Sequence, residues 1–186
     1  MKWVTRETVH LDRVASPWLI KRFVDPDAEF IFIDPDTSPW PTDAIPYALP
    51  GAELGMHDEA GTTFDKIIAK FGLHAPELAE IADVIRAAVR HVLGEDQQGA
   101  SPAAINNGIA LAMVSEGLMI RRTEDHAILD ASEELYDSLF AYFWSRRIDP
   151  RTGKDSFWER MAALRSQWHG EHPLAARVEA TDVTTQ

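Results

Sequence analysis

The chain is 186 residues long and 45% hydrophobic, with a formal charge of −12 and no cysteine. That is enough material for one buried core; it excludes disulfides and thiolate metal sites, and it argues against wholesale nucleic-acid binding, whose non-specific affinity comes from Lys and Arg neutralising phosphates. No apolar run approaches the roughly 20 residues of a spanning helix and no signal-peptide core opens the chain, which predicts a soluble, cytoplasmic protein with no membrane partner.

In chain order, Trp3 to Leu11 alternates loosely through threonine, valine and tryptophan and reads as a strand. Ser16 followed by Pro17 reads as a cap with proline at the first helical position, predicting a helix from Pro17 to about Val24. Asp12 and Arg13 then fall at a strand-to-helix turn, beside a helix N-terminus that favours anions. Within the helix, Trp18, Arg22 and Asp25 share one face, opposite Leu19, Ile20, Phe23 and Val24. Arg13 and Arg22 are therefore candidate anion ligands; the competing reading pairs them with Asp12, Asp25 or Asp27 as scaffold.

Ala28 to Asp34 alternates and predicts a second strand, giving a β-α-β beginning. Five prolines between positions 35 and 50 predict a wandering loop with at most a short strand near Ile45 to Ala48. Ala52 to Asp58 reads as another strand, with Glu53, Gly55 and His57 on one side. Glu53 and His57 suit metal ligation or a base with its orienting carboxylate, against ordinary hydrogen bonding within the fold.

From Thr62 the chain turns helical. Thr62 or Thr63 caps a helix from Phe64 to Phe71, with Asp65 in its first turn. Pro76 starts the next helix and Gly94 stops it. Ser101-Pro102 begins a third, apolar on nearly every side from Ala103 to Leu118 and so expected at the centre of the core. Thr123 to about Arg147 forms a long helix that packs through Ile128, Leu135, Leu139, Phe140 and Phe143. Its other edge carries His126, Asp130, Glu133 and Asp137, a solvated face or, through His126 and Asp130, part of a metal site. Ser156 with Glu159 reads as a capping box for a last amphipathic helix.

Several of these segments occur together, and in this order, in one family. D-R-x-A-S-P-W-L-I-K-R-F-V-D at Asp12 to Asp25, Gly51, Glu53 and His57 in G-x-E-x-x-x-H, Thr63-Phe64-Asp65, Glu124-Asp125-His126 and Leu135-Tyr136-Asp137 resemble the chromate-resistance (ChrB-type) domain family from about residue 3 to 145. Thr62 stands where that family commonly has cysteine, so no mechanism needing a protein thiolate applies. The family's longer members add an N-terminal segment resembling a DNA-binding regulator; this chain begins almost directly at the chromate-resistance domain, which weakens the expectation of a transcription-factor role.

The predicted fold is α+β, possibly α/β-like, with a small N-terminal sheet and four to five helices mainly in the C-terminal two-thirds. Residues 1–150 form the domain, 151–170 an appended amphipathic helix on the same body, and 171–186 a flexible tail. The resemblance implies a cytoplasmic role in chromate tolerance, by sensing or handling chromate or a related oxyanion. Arg13, Arg22, Asp12 and Trp18 form the candidate anion site. His57, His126, Glu53 and Asp65 form the candidate metal site, for a divalent ion. The hypothesis is that Arg13, Arg22, His57 and His126 converge with Asp12 and Asp65 in one pocket. The alternatives are a metal-dependent hydrolase or reductase, and a non-catalytic interaction protein. Oligomeric state is left open.

Overall fold

The computed structural model of the chain describes residues 1–34, 39–149 and 156–175. Three strands, β1 (Lys2–Arg6), β2 (Glu29–Ile33) and β3 (Ile45–Pro46), form a parallel sheet in the order β2-β1-β3. β1 pairs with β2 from Lys2↔Glu29 to Arg6↔Ile33, and with β3 at Trp3 and Val4. The central strand buries Trp3, Val4 and Thr5 completely, as expected where both faces of a parallel sheet are covered. Pro46 has no N–H to extend the ladder, which helps keep β3 short.

Six helices accompany the sheet among the described residues: α1 (Asp12–Phe23), α2 (Thr63–Phe71), α3 (Pro76–Leu93), α4 (Pro102–Arg121), α5 (Asp125–Ile148) and α6 (Phe157–Glu171). The fold is α+β, with six helices in place of the four or five expected. The predicted starts of α2, α4 and α6 hold in detail: Thr62, Ser101 and Ser156 each accept a first-turn amide, and Thr62 with Asp65 and Ser156 with Glu159 form capping boxes. Gly94 ends α3 in the left-handed conformation.

Three expectations need correction. α1 begins at Asp12, not Pro17, because Leu11 takes φ 44° and turns the chain into the helix five residues early. Ser16 then bonds back to Asp12 at 3.4 Å instead of capping, and Pro17 sits inside the helix, unable to donate to the Arg13 carbonyl. Ala52 to Asp58 is a loop with two isolated bridges, Tyr47↔Leu54 and Asp58↔Gly61, at its margins. Its coil is too tight for a strand: a Cβ on Gly55 would lie 2.9 Å from the Ala52 carbonyl oxygen.

The third concerns α4, which lies against α3 rather than at the centre of the core. A Cβ on Gly108 would stand 2.7 Å from the Ala88 amide nitrogen, so the two helices approach closely only because that position is glycine. The opposite face leaves Met113 63% and Ile120 85% exposed. α4 is also long and apolar enough, by length and composition, to cross a membrane, contrary to the reading that no run approaches that size. Gly108→Ala should lower stability by about 1–3 kcal/mol through overpacking, measured as a shift in urea midpoint.

The core lies between α1, α2, α3 and α5. Trp18 is its hub, stacked 6.4 Å from Phe64 and within 5.7 Å of Phe23 and Tyr136, ring centre to ring centre. The same tryptophan donates its Nε1–H to Asp137 at 2.7 Å, and Arg22 grips that carboxylate through Nε at 3.0 Å and Nη2 at 2.8 Å. Lys21 reaches Glu133 at 2.6 Å. Asp137→Ala leaves the indole N–H and the guanidinium without their acceptor, at a cost of about 1–2 kcal/mol for these partly exposed groups, read by thermal unfolding. α6 closes the body through Trp168, whose ring meets Phe140 and Trp144. α6 runs to Glu171, and most of the tail expected over 171–186 lies outside the described residues, which end at 175.

Candidate functional site

β1 leads through α1 to β2 on one side, while β3 adds on the other. In open parallel sheets such a divergence leaves a crevice beyond the carboxyl ends of the strands, where ligands bind. A cavity of about 190 Å³ lies there, lined by Arg6 at the end of β1, His10 on the connection, Asp12 and Arg13 at the start of α1, Ala48 beyond β3, and His57. Val89, Val92 and Leu93 of α3 supply its apolar wall. The volume is below the range of pockets for drug-sized molecules and suits a small ligand.

Its polar groups are unusual in having so few partners. Among the described residues Arg6 and Arg13 are not ion-paired; Arg22, Arg86, Arg147 and Arg160 are, while Arg90, Arg121, Arg122, Arg146 and Arg165 also lack an ion pair but do not line this cavity. Arg13 spends Nη1 on the carbonyls of Arg6, at 3.2 Å, and Glu7, at 3.1 Å. Burial, reinforced by Arg6, pulls the Arg13 guanidinium down to about 10, still fully charged near neutrality. Arg6 Nε, His10 Nε2 and His57 Nδ1 are buried with no hydrogen-bond partner, as is the Oη of Tyr47, which lies outside the cavity lining. Buried polar atoms are rarely left this way. Tyr47 is fully buried and feels the Arg13 charge; burial raises its phenol well above the ordinary range. His10 is shifted down by burial, with Arg13 acting in the same direction and Glu116 opposing.

Two of the nearby carboxylates, Asp12 and Asp125, are already committed. Asp12 is buried and accepts the backbone amides of Thr63 at 2.7 Å and Phe64 at 3.0 Å, capping α2 from another element. Burial raises its pKa and those amides oppose the shift. Asp125, the first residue of α5, accepts from the amides of Thr8 at 2.9 Å and Val9 at 2.8 Å. Positive φ is concentrated here too: Thr8 at 60°, Leu11 at 44° and Ala48 at 49° are three of the four such non-glycine residues among those described. Backbone held in this region costs energy and persists where its surroundings enforce it; here Asp125 holds Thr8, and the Ser115 hydroxyl accepts the Leu11 amide at 3.2 Å.

The remaining predicted site residues lie elsewhere. Nine residues along α1, about 13 Å, separate Arg13 from Arg22, which with Trp18 belongs to the Asp137 cluster. His57 donates outward to Glu95 at 3.1 Å. Glu53 pairs with Lys70, Asp65 with Thr62 and Arg86, and His126 packs its ring 4.8 Å from that of Phe32. His57 and His126 share neither a contact nor a cavity among the described residues, and no three His, Asp or Glu side chains there converge as a metal site.

The family model described as ChrB, C-terminal domain, matches residues 3–143, from the first buried residue of β1 to the last turns of α5. The chain belongs to the ChrB C-terminal domain family. It is 34% identical over 147 residues to Protein ChrB of Cupriavidus metallidurans (strain CH34), a match covering 78% of this chain and 42% of that relative. The chain thus spans less than half the length of the curated relative it matches. No solved structure matches.

Within this ChrB-type domain several motif residues hold the fold. Thr62 caps α2, and Asp137 of Leu-Tyr-Asp joins α5 to α1. Sequence reasoning overlooked Arg6, His10, Tyr47 and Glu95. His10 opened the segment it singled out, and Arg6 ends the first strand, where a ligand-facing residue belongs; nothing in the local pattern marks Tyr47 or Glu95.

Proposed function

We propose that this ChrB-type domain binds a small tetrahedral oxyanion, chromate foremost, in the cavity between the ends of β1 and β3, as a cytoplasmic sensor or handling module. Arg6 and Arg13 supply the charge, since guanidinium forks match tetrahedral oxyanions. His10, which also lines the cavity, supplies a further hydrogen-bonding group. The observation that carries the reading is the pair of arginines without an ion pair beside buried polar atoms without partners. The rival anion site, around Arg22, is lined by Glu134 and Asp137, and those carboxylates oppose an incoming anion.

Equilibrium dialysis of the purified chain against chromate tests this. Saturable binding of one anion per chain, with no chromate consumed when an electron donor is added, is the expected result. Absence of saturable binding would contradict the proposal, and consumption of chromate would replace the sensor with a reductase.

A further inference from the structure

The cavity beyond β1 and β3 is lined by two guanidinium groups, Arg6 and Arg13, and by two imidazoles, His10 and His57. The imidazoles differ in what already faces them. His57 has the Glu95 carboxylate against its Nε2 at 3.1 Å. His10 lies on the connection between β1 and α1, which two helices clamp: Asp125 of α5 accepts the amides of Thr8 and Val9, and Ser115 of α4 accepts that of Leu11. The next residue of α4, Glu116, acts on the His10 ring through space.

The groups around His10 set its charge. Burial and the Arg13 guanidinium on α1 pull its pKa below the usual imidazole value, and Glu116 opposes them. Arg6, at the end of β1, adds a second cation to the cavity, while Asp12 on α1 has both oxygens on the amides that start α2. α3 faces the cavity with Val89, Val92 and Leu93, which carry no charge. The ring is therefore mostly neutral near pH 7, since a proton there would place a third positive charge beside two guanidinium groups in a half-buried space. A volume of about 190 Å³ brings any ion inside it within a few ångströms of this wall. A dianion reverses the balance, because an opposite charge at roughly 4–6 Å favours the charged form of a titratable group.

Resting on the proposed oxyanion site, we infer that the cavity takes up a proton together with a doubly charged oxyanion, and that His10 carries it, completing a cradle of three cations with Arg6 and Arg13. Either ring nitrogen can face the anion, because imidazolium bears a hydrogen on both. Binding then tightens as the pH falls, by up to about tenfold per pH unit between the midpoint of the anion-bound ring and that of the free ring. Below the free midpoint His10 is already charged and the gain ends.

NMR titration of the His10 ring in the unaltered chain, without anion and with saturating sulfate or chromate, reads this charge directly. Sulfate has no proton of its own to gain near neutrality, so uptake that accompanies it belongs to the protein. The His10 midpoint is expected to rise by about one pH unit or more with the anion bound. Calorimetry near pH 7.5 in buffers of different ionisation enthalpy counts the protons: about half a proton or more per anion is expected in the unaltered chain and in His57→Gln, and almost none in His10→Gln. A His10 midpoint that stays put while an anion binds saturably, or uptake that persists in a folded His10→Gln, overturns the inference and leaves the oxyanion site standing. Saturable binding of neither anion removes both.

Discussion

Arg13→Ala should weaken chromate binding by roughly 10- to 150-fold, the equivalent of about 1.5–3 kcal/mol for a hydrogen bond to a charged group. The residue has no carboxylate partner among those described, and its Nη1 is spent on the Arg6 and Glu7 carbonyls, which aims the guanidinium by backbone rather than by counter-charge. Arg13→Lys should recover only part of the affinity, since an ammonium keeps the charge but cannot hold two carbonyls and an anion in one plane. Arg22→Ala supplies the control. Its guanidinium is occupied by Asp137, so that variant should lose stability and keep chromate affinity within a few-fold. Dialysis on the three variants, each checked for cooperative unfolding, separates the two ends of α1; loss of binding in Arg22→Ala with retention in Arg13→Ala would reverse the assignment.

The second large effect is on stability. Asp12→Ala removes the acceptor of two backbone amides at the buried start of α2 and of the Ser16 hydroxyl. Each orphaned buried donor costs about 1–3 kcal/mol, so the variant should lose roughly 3 kcal/mol and, for a chain of this size, unfold roughly 6–12 °C lower. Asp12→Asn should recover part of this, because one amide oxygen can serve one of the two N–H groups while the new NH₂ meets the other. Thermal unfolding of both variants decides it, and a melting temperature unchanged in Asp12→Ala would show that α2 is capped adequately by Thr62 alone.

Asp12 and Arg13 are adjacent, and the sequence pattern assigns both to one anion site, although Asp12 caps α2. The helices were legible because their punctuation is local: Thr62 with Asp65, Pro76 and Gly94, Ser101-Pro102, and Ser156 with Glu159 act within a turn of the elements they bound. The same logic misplaced the start of α1, since Ser16-Pro17 has the local form of a cap while the true boundary is set by Leu11 and by contacts from α2 and α4. α4 misled in a different way: a helix apolar on nearly every side looks central, but it is Gly108 that brings it against α3, leaving its outer face exposed. For the site, Arg13 and His57 could be named from their segments. Arg13 and Arg22 are held apart by the rise of α1, which spacing does reveal once the helix start is known; the partnership of His57 with Glu95 rather than Glu53 joins a loop to the turn after α3, 38 positions on, which no local spacing reveals.

The most direct measurement is a crystal structure of the chain soaked in chromate, with the metal centre located from its anomalous scattering. A single peak between the ends of β1 and β3, within hydrogen-bonding reach of the Arg6 and Arg13 guanidinium groups, is the predicted result. A peak beside Arg22 and Asp137, or in the outer groove at Arg86 and Arg90 with the β1–β3 cavity empty, would contradict it.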